Sequence, residues 1–265
     1  MNPATQDPGP LLAVVGLTAG VGLASAVVAS AFLALPEAAR RALVPHLVSF
    51  ATGALLGATL IGLLPEAIRA AGPAHVDGIG LAVLAGLLAF FVLEKLVLWR
   101  HCHDDACETH APDAGERRRA TGAMIVWGTT VHNVLDGVVI AAAYLAAPRL
   151  GVATAFAVFA HELPQEIGDL GVLLHSGMRR RRALIVNLLV SVSAVIGGLL
   201  ACAAIGGARG VLPYALAFAG ASLLYIAVAD LIPGLHRQLD PRRSLQQLAL
   251  ILLGLAAIWL TQPAA

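Results

Sequence analysis

The segment His161-Glu162-Leu163-Pro164-Gln165-Glu166-Ile167-Gly168-Asp169 organises this sequence, and it lies inside the apolar stretch 152–175. That stretch is long enough to cross a bilayer, for which about 20 apolar residues suffice. An ionisable side chain near the bilayer centre costs at least ~2.5 kcal/mol. Four ionisable groups within nine residues therefore need partners or an aqueous path, and we expect a functional site inside the membrane.

The preceding apolar stretch carries the expected partners, in the segment His132-Asn133-Val134-Leu135-Asp136. Residues four apart share one face of a helix, so His132 and Asp136 point the same way. Imidazole nitrogen together with carboxylate oxygen suits zinc, iron(II), manganese or cadmium, whereas ligation by oxygen alone suits calcium or magnesium. The sequence predicts a divalent metal site whose candidate ligands are His132, Asn133, Asp136, His161, Glu162 and Gln165.

The composition describes a membrane protein. Of 265 residues, 58% are hydrophobic and 12% are charged, whereas a soluble domain has about 25% charged residues. An ordinary soluble enzyme is thereby excluded, and the net charge of +1 argues against a nucleic-acid partner. The three cysteines form no even set that would imply a disulfide framework. We expect the metal to be the substrate, with no organic cofactor.

Apolar windows of about 20 residues mark membrane-spanning helices. The sequence predicts an all-α integral membrane protein with eight spans in a single transmembrane domain. These spans are 11–35, 43–64, 79–99, 123–147, 152–174, 183–205, 211–232 and 245–260, and residues 100–121 form a loop between the third and fourth.

The arginines predict the orientation. Thirteen fall in the loops after spans one, three, five and seven, and three fall in the other loops. Because basic residues are retained on the cytoplasmic side, the first group of loops is placed in the cytosol and both termini outside. Lys95 is the only lysine, and alanine is abundant. That usage hints at a GC-rich bacterial genome, so we expect the bacterial inner membrane.

Pro164 and two glycines predict an open side on the fifth span. Proline cannot donate a backbone hydrogen bond, so we expect a kink that frees the Ala160 carbonyl. Such freed groups persist in membranes where they are buried or line an aqueous cavity. Gly168 and Gly171 leave space along the same helix.

Further polar residues are candidates for the transport pathway, namely Glu66, Glu166, Asp169, His175 and Asp230. Each also has a simpler interpretation. Glu66 either guards the outer mouth or caps an interfacial turn, and His175 either lines an exit or reaches headgroup water. The whole polar cluster, likewise, could consist of buried groups that only hold two helices together, although ionisable groups inside membranes are functional by default.

A second possible metal-binding segment lies in the predicted cytosolic loop, where thiols stay reduced and bind soft or borderline metals. Its candidate ligands are His101, Cys102, His103, Cys107 and His110. Their spacing matches no closed zinc module. A metal-capturing loop and a solvated linker remain equally compatible with this stretch.

The segments HNVLDG (132–137) and HELPQEIGD (161–169) closely resemble the signature helices of the Zrt/Irt-like protein (ZIP) family of divalent metal transporters. The resemblance implies an inverted-repeat bundle of eight helices arranged 3+2+3, movement of metal into the cytosol, and a homodimer. It also implies a site for two metals on spans four and five. One metal position would be lined by His132, Asp136, His161 and Gln165, and the other by Asn133, Asp136, Glu162 and Gln165.

The sequence departs from the family pattern at three places. Gln165 stands where family members carry His or Glu, and it offers only a neutral oxygen. We therefore expect weaker support for two metals at once and a weaker preference for zinc over iron(II) or manganese. Gly62 replaces a common histidine, and Gly234 replaces the glutamate of a common Pro-Glu pair. Both of these bear on the entrance and exit path.

Two other functions are alternatives to transport. The segment His161-Glu162-Leu163-Pro164-Gln165 is similar to the His-Glu-x-x-His motif of zinc proteases, in which two histidines bind zinc and glutamate is the base. Here the second histidine is Gln165, and a proline interrupts the motif, so we expect no enzymatic activity. A membrane metal sensor would depend on the 101–110 loop.

Overall fold

The computed structural model describes the backbone of residues 9–102, 114–206, 209–237 and 240–261, and the side chains of these residues except 96–121 and 206–209. Within those ranges the regular elements are all helical. The α-helices are α1 (Gly9–Phe32), α2 (Glu37–Gly57), α3 (Leu64–Ala71), α4 (Val76–Cys102), α5 (Ala114–Ala146), α6 (Pro148–His175), α7 (Arg180–Ser191), α8 (Ala194–Gly206), α9 (Leu212–Tyr225), α10 (Ile232–Leu235) and α11 (Pro241–Trp259). Short 3₁₀ turns cover Pro73–His75 and Arg209–Val211.

Six stretches of the described chain are long and apolar enough to cross a membrane. They are Gly9–Phe32, Glu37–Ala71, Pro73–Lys95, Gly122–Ala146, Arg180–Ile205 and Leu212–Leu235. This confirms an all-α membrane protein but not the predicted count of eight. The fifth and eighth predicted spans correspond to α6 and α11, which are helices outside this set. The polar run lowers the hydropathy of α6, and two arginines and two glutamines lower that of α11.

Two of the long helical stretches contain a π-helical segment, and each segment lies shortly before a proline. Ala58–Leu63 lies between α2 and α3, shortly before Pro65, and Ile226–Leu231 lies between α9 and α10, shortly before Pro233. Because proline has no N–H to donate, the backbone loses a bond at this point and a wider turn is accommodated. The equivalent positions of the two segments agree with a bundle built from related halves.

The sixth predicted span, 183–205, is two helices. α7 ends at Ser191 and α8 begins at Ala194, with a turn at 192–193. The carbonyl oxygen of Thr130 on α5 accepts a hydrogen bond from Ser193 Oγ at 3.3 Å. The break is thus anchored to the helix that carries His132.

Glycines bring several helix pairs into backbone contact, as expected where lipid supplies no hydrophobic drive for packing. A Cβ atom on Gly197 of α8 would collide with the Val134 carbonyl of α5, and one on Gly53 of α2 would collide with the Ile251 carbonyl of α11. The pairs α5–α8 and α2–α11 are accordingly among the most closely packed in the bundle.

Candidate metal centre

The α5–α6 hairpin sets the register of the site. α5 ends at Ala146 and α6 begins at Pro148, so Ala147 alone joins them in an extended conformation, and proline at the first helical position suits the start of a helix. His132 and His161 lie at nearly equal distances along the chain from this turn. Antiparallel packing therefore places them side by side.

Four side chains converge at this level of the hairpin. His132 Nε2 lies 3.2 Å from His161 Nε2. Asp136 Oδ2 lies 3.2 Å from His161 Nε2 and 3.5 Å from His132 Nε2. Glu162 Oε1 lies 3.6 Å from the ring nitrogen of His132 and 3.9 Å from that of His161. One possible ligand atom from each residue falls within 4.8 Å of all the others, a spacing that could hold a metal ion.

The electrostatics of this cluster favour a bound cation. Asp136 Oδ2 and Glu162 Oε1 are buried and have no hydrogen-bond partner among the described residues. Burying an unpartnered carboxylate oxygen is costly, and such atoms point to an ion or ligand. The Nδ1 atom of His161 lies 3.3 Å from the Ala157 carbonyl, so we assign its proton there. The Nε2 lone pair is then free to face a metal.

Asn133 lies beside the four candidate ligands, and its side chain is held by α7. Its Nδ2 donates to the Val190 carbonyl at 3.1 Å, and its Oδ1 is buried without a hydrogen-bond partner among the described residues. The amide nitrogen thus fixes the Asn133 side chain, and the amide oxygen remains available to a ligand. Its part in a second metal position stays a prediction.

An open cavity of about 320 Å³ adjoins the cluster, between α4, α5, α6 and α9. His132 lines it, and its side chain is 20% exposed, whereas those of Asp136, His161 and Glu162 are at most 4% exposed. Gln165 lines the same cavity and is half-buried. His132 therefore lies between the cavity and the other three candidate ligands.

Three carboxylates surround this cavity, namely Glu94, Asp169 and Asp230. Asp169 accepts a hydrogen bond from Thr129 Oγ1 at 2.7 Å, and Glu94 accepts one from the Tyr225 hydroxyl. Asp169 and Asp230 are predicted pathway residues, and their place in a pathway remains a prediction. The sequence did not single out Thr129, Tyr225 or Glu94 for this region. For Glu94 the reason is that α4 is apolar all round, so the sequence pattern does not show which of its faces turns inward.

The other predicted pathway residues lie elsewhere. Glu166 is buried and accepts hydrogen bonds from Ser25 of α1 at 2.9 Å, from Asn187 at 3.4 Å and from Ser191 of α7. Glu66 is half-buried and pairs with Arg69 at 2.8 Å. His175 is exposed at the end of α6. Glu166 thus joins three helices.

The predicted features of α6 and of the loop can also be located. α6 continues through Pro164 as one helix. A Cβ atom added to Gly168 or Gly171 would meet no neighbouring atom within 4 Å, as their predicted open side requires. His103, Cys107 and His110 lie outside the described residues. His101 and Cys102 end α4, and their side chains are likewise outside the described set.

An all-helical membrane bundle with two imidazoles and two carboxylates converging in its interior belongs to the class of membrane proteins that handle divalent metal ions. A family model described as "ZIP Zinc transporter" matches residues 99–262. The chain belongs to the ZIP zinc transporter family, which confirms the resemblance seen in its two signature segments. This membership supports divalent metal transport.

Several zinc transporters are similar to this chain. Zinc transporter ZIP13 of Pongo abelii is 32% identical over 225 residues, which cover 80% of this chain and 65% of that protein. Zinc transporter ZIP13 of Gallus gallus is 30% identical, with 80% and 72% covered. Zinc transporter ZIP4 of Homo sapiens is 40% identical over 119 residues, covering 45% of this chain and 18% of that protein. The chain thus spans about two thirds of the length of its ZIP13 relatives.

Proposed function

We propose that this chain moves divalent transition-metal ions, zinc foremost, across the membrane and into the cytosol through the site between α5 and α6. The observation that carries the proposal is the buried cluster of His132, Asp136, His161 and Glu162, in which two carboxylate oxygens have no hydrogen-bond partner among the described residues. A divalent cation would neutralise both carboxylates and accept a lone pair from each imidazole nitrogen. The protein would thereby replace the hydration shell of the ion.

The shape of the bundle supports release toward the cytosol. The cavity lies toward the start of α5 and the end of α6, which is the side that the arginine distribution of the sequence assigns to the cytosol. On the other side of the site, Leu55, Ile140 and Val158 are fully buried. Among the described residues, access to the site is thus more open on the side of the cavity, which supports release of the ion toward the cytosol.

The metal preference follows from the ligands. Two imidazoles and two carboxylates suit zinc, and also accommodate iron(II), manganese and cadmium. Gln165 lines the access to the site and contributes a neutral oxygen at most. We propose one tightly held ion at the four-residue cluster, with Asn133 and Gln165 as further oxygen donors for a second.

The remaining parts of the proposal rest on the sequence. The chain would lie in a bacterial inner membrane with both termini outside, and it would act as a homodimer, as the family resemblance implies. The loop that includes His103 and Cys107 would collect metal on the cytosolic side.

The decisive test is metal uptake into vesicles that contain the purified protein, with zinc, cadmium, iron(II) and manganese in competition. We expect saturable zinc uptake, and its loss in the double variant Asp136→Ala/His161→Ala reconstituted to the same density. Uptake at the parental rate in that variant would overturn the proposed site.

A protease remains the alternative from another functional class. The second imidazole at the cluster comes from His132 of the neighbouring helix, and Gln165 stands in the second histidine position of the protease motif. Both observations favour transport. Metal-dependent cleavage of a transmembrane substrate that disappears in Glu162→Ala would instead favour the protease.

A sensor is the other alternative, and deleting residues 103–110 separates it from a transporter. A transporter should keep most of its flux without the loop. A sensor should lose its metal-dependent output.

A further inference from the structure

A cationic cleft lies between α2 and α11, away from the metal centre. It has a volume of about 370 Å³ and is lined by Arg41, His46 and Ser49 of α2 and by Arg243, Gln246 and Gln247 of α11. No acidic side chain lines it among the described residues. The cleft therefore combines two guanidinium groups with neutral hydrogen-bonding groups, a combination that suits a phosphate group.

The acidic groups nearest along the chain are already engaged. Glu37 pairs with Arg41 across one helical turn. Asp240 caps α11 by accepting the backbone N–H of Arg242 at 2.9 Å. A guanidinium has five N–H donors, so Arg41 retains donors beyond its pair with Glu37. Arg243 lies in the first turn of α11, where the helix dipole also favours an anion.

The cleft narrows along α2 and ends where a glycine brings α2 and α11 into backbone contact. From Arg41 to Ser49 it follows two turns of α2, about 12 Å at the rise of an α-helix. One turn further, the backbones of Gly53 and Ile251 touch and close it. The open end lies at the helix ends that the arginine distribution places at the cytosolic surface. A headgroup could thus enter from the membrane surface but could not pass deeper.

An apolar strip continues from the cleft along the outside of α11. Leu253 and Leu260 are 56% and 83% exposed, and they follow Gln246 at intervals of seven residues, which puts all three on one side of the helix. In a membrane this strip faces lipid. A polar, cationic cleft next to a lipid-facing apolar strip matches the two parts of a phospholipid.

We infer that the α2–α11 cleft binds the headgroup of an anionic phospholipid, whose acyl chains lie along the leucine strip of α11. Arg41 and Arg243 contact the phosphate, and the glutamine amides contact the polar remainder of the headgroup. This binding site goes beyond the proposed metal transport and does not depend on it.

The test is native mass spectrometry of the purified full chain with equal amounts of phosphatidylglycerol and phosphatidylcholine that carry the same acyl chains. We expect preferential retention of phosphatidylglycerol. The variant Arg41→Gln/Arg243→Gln should reduce that preference by on the order of tenfold, because each arginine near an anionic headgroup contributes severalfold. The matched control Arg180→Gln/Arg181→Gln removes the same charge from the α7 end and should keep the preference.

Equal retention in the cleft variant and the control would overturn the inference. A second arm identifies the source of the phosphate. Inorganic phosphate added to the lipid-free protein should not raise its melting temperature, whereas phosphatidylglycerol should raise it in the wild type but not in the cleft variant. A rise with inorganic phosphate that matches the lipid effect would show a soluble anion as the occupant and would overturn the lipid assignment.

Discussion

The Nε2 atoms of His132 and His161 lie 3.2 Å apart, one on each arm of the α5–α6 hairpin. Nδ1 of His161 faces the Ala157 carbonyl at 3.3 Å, and with the proton assigned there, Nε2 presents a lone pair. Two carboxylate oxygens, from Asp136 and Glu162, lie within 4 Å of these nitrogens. The arrangement is rich in acceptors and poor in donors. A cation at its centre would be coordinated by these nitrogen lone pairs and carboxylate oxygens.

The charge of Asp136 is the first prediction to test. Asp136→Asn preserves the shape of the side chain but removes a negative charge from the site, so zinc uptake at low concentration should fall at least ~tenfold, in the range seen for perturbed metal sites. The measurement is initial uptake into vesicles. Asp240→Asn is the matched control, because asparagine caps a helix about as well as aspartate. Full uptake by Asp136→Asn would contradict the site.

Gln165 should influence which metal is preferred. Gln165→His replaces a neutral amide oxygen with an imidazole, so zinc should gain on manganese in a competition assay by several-fold. Gln165→Leu is the paired variant, which offers no ligand atom and should not shift the ratio toward zinc. An unchanged zinc-to-manganese ratio in Gln165→His would show that the side chain at this position does not contact the ion.

Glu166 should act on stability more than on metal affinity. Glu166→Ala removes the common acceptor of Ser25, Ser191 and Asn187. The two serines keep backbone acceptors, the carbonyls of Gly22 and Asn187, so the amide of Asn187 is the buried group left unpaired, at a cost of about 1–3 kcal/mol. We expect a clearly lower melting temperature, with an unchanged KM for zinc in the protein that remains folded. Glu37→Ala removes an exposed ion pair and should change stability little. An unchanged melting temperature together with altered uptake would instead place Glu166 in the transport pathway.

The contact between α5 and α8 depends on the absence of a side chain at Gly197. Gly197→Ala would drive a methyl group into the Val134 carbonyl, and overpacking of this kind costs about 1–3 kcal/mol. Gly16→Ala in α1 meets open space and should be neutral or stabilising by up to ~1 kcal/mol, owing to the helix propensity of alanine. Thermal unfolding of both variants in the same detergent gives the comparison. Equal melting temperatures would contradict the close approach.

The candidate metal ligands could be selected from the sequence because helical periodicity alone puts His132 and Asp136 on one face, and because charged groups rarely occur in apolar segments without a function. Family membership followed from the same two segments. The number of membrane spans was harder to predict from the sequence. The very residues that mark α6 as functional also lower its hydropathy, so it resembles a membrane span less than its neighbours do. The break at 192–193 was not predicted, since the residues around it are apolar or small and contain no proline.

The class of the molecule, most of its helical stretches and the kinds of side chain at the candidate site could be inferred from the sequence, because composition, hydropathy and i,i+4 spacing are local properties. Three features required the packing of the helices to be known: Glu94 of α4 lies beside the same cavity as Asp169, Glu166 joins three helices, and α2 and α11 leave a cationic cleft. These relations depend on which face each apolar helix turns to its neighbours. In a membrane protein, lipid-facing and protein-facing surfaces are both apolar, so the sequence pattern does not distinguish them.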